Sequence, residues 1–311
     1  MVAVIGSTGK LGRHAVQQLV ERGYSVRCLV RQDPVGTNPC CAPSATSAEV
    51  AAWLAAMPGV QLVRGDITDR ESIFELLRGC LVCLVLHGAT RRTELSDLLP
   101  WVDPTQDPTH AMRVNYEGVR HVIEAACASG SCQRIVRVTG KGEDPWSMFS
   151  ILINGLGSMA KAWNYEGERL LRACDDVDYT IVRPGVMGQG DERLRGASLA
   201  LADNGGDLQV SPIPHRCVAE LCVRCLEFPN SARSTLCAMT VPEGKGEESF
   251  EPLLEKVSPD TRSFPGRELF QRHVLAVRVG GPALAGLALG FLAGALGLLR
   301  ELAMTLVVRP Q

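Results

Sequence analysis

Val2-Ala-Val-Ile5 runs directly into Gly6-Ser-Thr-Gly-Lys-Leu-Gly12, and the reading of this stretch decides the fold. The apolar run reads as a buried strand. After the glycines, Ala15, Val16, Leu19 and Val20 recur at helical spacing until Gly23. Strand, glycine turn and helix, in that order, are the context in which a glycine motif carries meaning. Gly6 allows a tight turn, Gly9 lets backbone approach a pyrophosphate, and Gly12 lets the helix pack closely on the strand. Unpaired N–H groups at the helix start would receive the phosphates, with Ser7, Thr8, Lys10 and Leu11 completing the loop. The spacing is G-x-x-G-x-x-G rather than G-x-G-x-x-G.

Working outward, Ser25–Val30 reads as a second strand ending at Arg31. In dinucleotide folds an acid near this place binds the ribose 2′-hydroxyl, whereas a basic residue accommodates a 2′-phosphate. Arg31, with Lys10 close by, therefore predicts NADP in preference to NAD; a solvated strand end is the plain alternative for Arg31. Further strands are expected at 59–64, ending in Gly65-Asp66-Ile67, at 81–86, running into His87-Gly-Ala89, and at 134–138, ending in Thr139-Gly140. Helices between them give an α/β protein with a Rossmann-type doubly wound parallel sheet and ligands at the carboxyl ends of the strands.

Composition narrows the function classes. The chain has 311 residues, 46% of them hydrophobic, which is ample for a core and excludes intrinsic disorder. Its net charge of −2 offers no long-range field for nucleic acid or for an anionic membrane surface, so no nucleic-acid partner is expected. The 12 cysteines contain two C-x-x-C pairs, Cys80/Cys83 and Cys222/Cys225. The first lies in a strand-like run, where residues three apart diverge, and the second has no further pair to complete a zinc site. They read as small buried hydrophobes, and no metal is expected.

With these segments in place, the chain resembles the atypical short-chain dehydrogenase/reductase superfamily, in its NmrA-like NAD(P)-binding branch. The residues carrying the match are Gly6–Gly12, Gly65-Asp-Ile-Thr-Asp69, Val114-Asn-Tyr-Glu-Gly118, Lys161 with Gly167-Glu-Arg-Leu-Leu171, Tyr179-Thr-Ile-Val-Arg-Pro-Gly185 and Arg216-Cys-Val-Ala219. The resemblance covers about residues 2–245. It implies that Asp66 and Ile67 line the adenine pocket and that Ala89 and Thr139 lie along the cofactor. It also implies that Lys161 contacts the nicotinamide ribose and that Pro184-Gly185 pass near the nicotinamide.

The superfamily's catalytic signature is Tyr-x-x-x-Lys, the two residues one helical turn apart. The chain has 4 tyrosines, and Cys28, Arg120, Arg169 and Arg183 stand four residues after them. No tyrosine has its lysine. If Lys161 is the family lysine, the tyrosine position holds Gly157. Candidate substitutes are Tyr165, one turn after Lys161, and His87 at a strand end; His215 is a weaker one. Water or substrate could also supply the proton, leaving Lys161 an electrostatic role.

Residues 1–245 are expected to form the NAD(P)-binding domain with a small substrate-side region, residues 246–272 a linker, and residues 273–311 an apolar carboxyl-terminal segment, read as a helix. Within it, Val279–Leu299 holds 21 residues without a charge. As a helix this run reaches about 31 Å, enough for a bilayer core. Gly286, Gly290 and Gly294 make a G-x-x-x-G ridge suited to homo-oligomer contacts. A buried glycine-rich helix is the rival reading. Arg267, Arg272 and Arg278 would keep the nucleotide domain on the cytosolic or stromal side of a membrane. The amino terminus carries no readable targeting segment, so the expected location is the cytoplasm or, by resemblance to plastid and cyanobacterial members, a plastid membrane. The expected function is an NADP-dependent oxidoreductase on an unidentified small molecule. The alternative is a non-catalytic NADP-binding redox sensor or assembly factor at a membrane.

Overall fold

The computed structural model describes residues 1–31, 47–99, 101–141, 143–188, 196–206, 208–284 and 286. Alternating strands and helices open the chain: β1 (Val2–Ile5), α1 (Lys10–Glu21), β2 (Val26–Val30), α2 (Ser47–Ala55), β3 (Val60–Arg64), α3 (Arg70–Leu77) and β4 (Val82–Val85). Then come α4 (Gly118–Ser129), β5 (Arg134–Val138), α5 (Met148–Leu156), α6 (Ala160–Arg172) and β6 (Asp178–Pro184). Last are β7 (Val186–Gly188), β8 (Ala197–Ala202), β9 (Pro212–Pro214), α7 (His215–Arg224), β10 (Ser234–Pro242), α8 (Glu251–Leu254) and α9 (residues 268–284).

The main sheet runs β3-β2-β1-β4-β5-β6-β10-β8, parallel except for β8, which lies antiparallel on β10. This is the expected doubly wound arrangement. Strand order reverses at β1, whose Val2 faces Val26 of β2 on one side and Val82 of β4 on the other. A crevice opens there at the carboxyl ends. Both faces are covered, so the central strands are apolar without alternation. One core joins α1, α2 and α7 to the sheet through Leu19, Leu54, Val136 and Leu221; the other joins α3, α4 and α6 through Ile73, Val119, Ile135 and Leu171.

Residues 246–272, read as a linker, lie against the domain. Phe250 and Leu254 are fully buried, Asn230 donates to the carbonyls of Leu254 and Val257, and Asp260 accepts from Thr235 N at 2.9 Å. Their apolar residues are too sparse to form a period. Of the apolar run 279–299, only 279–284 and 286 are described, all helical. Gly290 and Gly294 of the glycine ridge lie outside the described residues. Among the described residues no helix is long and apolar enough to cross a membrane. Eight of the described cysteines, including Cys80, Cys83, Cys222 and Cys225, are buried.

Candidate functional site

The glycine loop sits at the switch point. Gly6 has φ 84°, and a Cβ on it would stand 2.9 Å from His87 N at the end of β4. Gly12 is tighter still: its Cβ would fall 2.1 Å from Gly6 O. The glycine needed for close packing therefore presses on the loop itself. Gly9 is exposed and is the N-cap of α1, without a side-chain cap; the first turn holds no acidic residue. The amino end of α1 is thus left for an anion. Ser7 is buried, its hydroxyl donating to Leu29 O at 2.9 Å, and Leu11 faces the core, so both can meet a ligand only through backbone. Thr8 and Lys10 are half-buried.

Arg31 is exposed just beyond β2. Asp66 Oδ1 accepts from Thr68 N at 2.9 Å and from Thr68 Oγ1 at 2.7 Å, an Asx turn that orients the carboxylate. The Ile67 side chain packs where a Cβ on Gly118 would meet it at 2.7 Å, so this glycine makes room for it.

On the other side of the crevice, His87 Nε2 lies 3.2 Å from Val114 O, while its Nδ1 is buried with no partner among the described residues. Burial, aided by Arg137, pushes this imidazole down to about 4, so it is neutral at pH 7. Ala89 N donates to Asn115 Oδ1 at 2.9 Å, and Asn115 Nδ2 donates to Ala160 O at 3.2 Å. Asn115 therefore ties the β4 loop to the start of α6. It sits in a π-helical turn, Met112–Glu117, a widened geometry common at functional sites. Its carbonyl accepts from buried Arg137 at 2.9 Å. Asn115 was visible as a motif residue, but nothing in the spacing revealed this bridging role.

Thr139 Oγ1 donates to Glu168 Oε1 at 2.7 Å. Glu168 is fully buried and also accepts from Arg183 Nε at 3.1 Å and Arg172 Nη2 at 3.0 Å. Burial alone would raise this carboxyl, but the two guanidiniums prevail and hold it at about 2. Arg183 leads into Pro184 and Gly185. A Cβ on Gly185 would fall 2.0 Å from Ser211 O, so this glycine serves a close backbone crossing.

Lys161 is buried at the first turn of α6, and its Nζ donates to Ser150 Oγ at 2.5 Å. Ser150 Oγ also accepts from Ser147 Oγ at 2.7 Å and donates to Asp144 O at 2.6 Å. Burial brings the Lys161 ammonium down to about 8. Asn154 Oδ1 caps α6 by accepting from Ala162 N at 3.0 Å. Ser150 and Asn154 escaped the sequence reading, although two polar residues one turn apart in the uncharged helix Met148–Leu156 were a usable signal. Tyr165 shares α6 with Lys161, as the spacing implied. Its ring stacks on His273 with centroids 5.8 Å apart, its hydroxyl reaches Gly140 O at 3.5 Å, and burial pushes its pKa well above the usual phenol value. His215 Nδ1 lies 3.1 Å from Gly188 O, away from this group at the start of α7. Gly157 is not on the lysine's helix. It is the C-cap of α5, followed by Ser158 and Met159 at positive φ, so one continuous turn does not link the tyrosine position to Lys161.

No metal-ligating cluster is present among the described residues. An uncapped helix start beside close-packed glycines, at the strand switch point, fits the pyrophosphate of a dinucleotide. The chain belongs to the NAD(P)H-binding family, whose pattern matches residues 6–229. The kinship with atypical short-chain dehydrogenases/reductases read from the motifs holds, and a nicotinamide dinucleotide is the cofactor this family implies. Among its relatives, a ceramide reductase of Caulobacter vibrioides is 28% identical over 196 residues, 63% of this chain and 49% of that protein. Protein TIC 62, chloroplastic, of Arabidopsis thaliana is 25% identical over 268 residues, 85% of this chain and 39% of that one. The chain thus spans half or less of these relatives' lengths. A short-chain dehydrogenase/reductase of Veillonella parvula, solved in complex with NADP, shares the fold with a TM-score of 0.56 at 10% identity, covering 80% of this chain and 97% of that one.

Proposed function

We propose that the protein is an NADPH-dependent reductase of a small carbonyl compound in which Lys161 takes over the proton transfer normally given to tyrosine. The observation that carries this reading is the Lys161–Ser150–Asp144 chain. It leaves one ammonium N–H committed to Ser150 Oγ, so the remaining protons of Nζ can face an acceptor. An acid held at about 8 is largely protonated at pH 7 and still gives up its proton readily. When bound, the dinucleotide supplies the hydride. The glycine loop and the start of α1 hold its phosphates, Arg31 selects a 2′-phosphate, and Asp66 meets the adenine. Lys161 donates a proton to the carbonyl oxygen as the carbonyl carbon receives the hydride, so the product is an alcohol; solvent then reprotonates the amine. His87, neutral at pH 7, and Tyr165, whose pKa burial pushes up, are poorer acids.

The second reading, an NADP-binding redox sensor or assembly factor at a membrane, is favoured by the glycine at position 157. A membrane anchor in 279–299 and a plastid location belong to the same proposal, supported by the uncharged run and by a relative named chloroplastic. Stopped-flow oxidation of bound NADPH against carbonyl and quinone panels separates the readings. The enzyme reading expects turnover that falls as pH rises through about 8, and a loss of about a hundredfold in Lys161→Met. Tight NADPH binding without oxidation by any acceptor would support the sensor.

A further inference from the structure

Helix α5 is built inside out for a surface helix in water. None of its residues is charged, and its polar Ser150 and Asn154 point inward, to Lys161 and to His273. Its outer side presents Met148, Phe149, Leu152, Ile153 and Leu156, preceded by Trp146, all exposed. A neighbouring turn adds Leu95 and Trp101, 86% and 78% exposed, with Leu99. That turn is stitched to the end of α5: Thr93 N donates to Leu156 O at 2.8 Å, and Ser158 N donates to Thr93 Oγ1 at 2.9 Å. Helix α9 lies along the same region, with Gly280 against Ile151 and Val277 beside Gly155, and it exposes Leu275 and Val279. Isolated exposed apolar residues are ordinary, but three adjoining elements that expose them together mark an interaction surface. Both the turn and α5 follow carboxyl ends of strands, β4 and β5, so the surface flanks the mouth of the crevice.

What covers this surface is indicated by where the chain goes next. The 21 uncharged residues beginning at Val279 start in α9, which packs against α5 at Ile151 and Gly155, beside this exposed face. An apolar sequence of that length calls for hydrocarbon surroundings. Tryptophans beside aliphatic residues suit the level of lipid headgroups, and Arg272 and Arg278, exposed on α9, suit anionic ones. We propose that α5, Leu95, Leu99 and Trp101 seat the domain on a lipid bilayer, with the crevice opening at the membrane surface. Resting on the reductase reading, the acceptor is then an apolar carbonyl compound dissolved in the bilayer. The docking itself does not depend on that reading.

The test uses the full chain and phosphatidylcholine vesicles containing phosphatidylglycerol, some with brominated acyl chains. The wild type is expected to float with the vesicles, and bromine is expected to quench its tryptophan emission. Leu152→Asp/Leu156→Asp alters exposed positions only; it is expected to keep its NADPH affinity while vesicle partition falls at least about tenfold. Trp101→Phe/Trp146→Phe is expected to remove most of the quenching. Absence of flotation, equal partition of the aspartate variant, or quenching that survives without the two tryptophans would each overturn the proposal. So would loss of self-association in the aspartate variant with partition unchanged, which would make the face a contact between two copies. Partition and NADPH oxidation are read separately, so failure of either leaves the other standing.

Discussion

Along the β1–α1 side of the crevice the deciding contacts are made by backbone, and two of the three loop glycines answer to a distance or a dihedral angle. Gly12 lies so close to Gly6 O that a Cβ has no room, and Gly6 takes a left-handed φ against His87. On the β5–α6 side the deciding contacts are made by side chains from distant positions: Glu168 with Arg183 and Arg172, Lys161 with Ser150, and Asn115 with Ala89 and Ala160. A backbone device must keep its residue types at fixed spacing, because no other side chain fits. A side-chain device can be assembled from residues far apart in sequence, and it can lose a member such as the tyrosine while the fold persists.

The largest effect is expected at Glu168. Removing a charge from a buried cluster leaves its partners uncompensated, so Glu168→Gln should cost about 3–5 kcal/mol in denaturant unfolding. The pH dependence has a definite sign. The folded carboxyl sits at about 2, below its ordinary 4.5, so its contribution is complete above 4.5 and disappears as pH falls toward 2. The variant should lack that slope; an unchanged acid limb would show that the cluster is not what holds this side together. Next in size is Gly12→Ala. The new methyl must displace Gly6, costing about 1–3 kcal/mol, with a lower melting temperature and weaker NADPH binding. Unaltered stability and affinity would mean that the loop is far more plastic than its packing indicates.

Arg31→Ala should weaken NADPH about tenfold more than NADH in paired titrations, as expected for the loss of one charge-assisted contact. Equal losses would remove the 2′-phosphate role. The smallest effect is expected for Tyr165→Phe, whose hydroxyl has only a long contact, to Gly140 O. NADPH oxidation should stay within about twofold, since at 3.5 Å that contact contributes little. A large fall would return Tyr165 to the chemistry.

How far the site could be read in advance follows the same divide. Gly6–Gly12, the strand ending at Arg31 and the Asp66–Ile67 turn are local, and their spacing was enough to place them at the carboxyl ends of β1, β2 and β3. Lys161 could be counted back from Arg183, because the helix and strand between them have ordinary lengths. Its partner Ser150 could not, because that contact depends on the chain breaking between α5 and α6 at Gly157–Met159. A reading of Tyr-x-x-x-Lys as one helical turn assumes a continuous helix, and here the lysine begins a new one. The short strands β7 and β9 and the antiparallel β8 also went unread, since their pairing partners are distant in sequence. The stretch 246–272 reads as a linker on its Pro/Glu/Ser/Lys-rich composition, a measure that does not register the burial of its few apolar residues, Phe250 and Leu254 among them.

Alone, the amino-acid sequence determined the doubly wound sheet, the glycine turn between β1 and α1 and the absence of the tyrosine signature. These rest on period, glycine spacing and residue identity, which are properties of neighbours along the chain. The tertiary structure decided that Lys161 is buried against Ser150, which charges neutralise one another around Glu168, and that α5 turns its polar side inward. Those outcomes depend on burial and on through-space distance, which no local pattern encodes. The apolar tail was legible as an uncharged run; that its first turns lie against an exposed apolar helix at the mouth of the crevice emerged only from the fold.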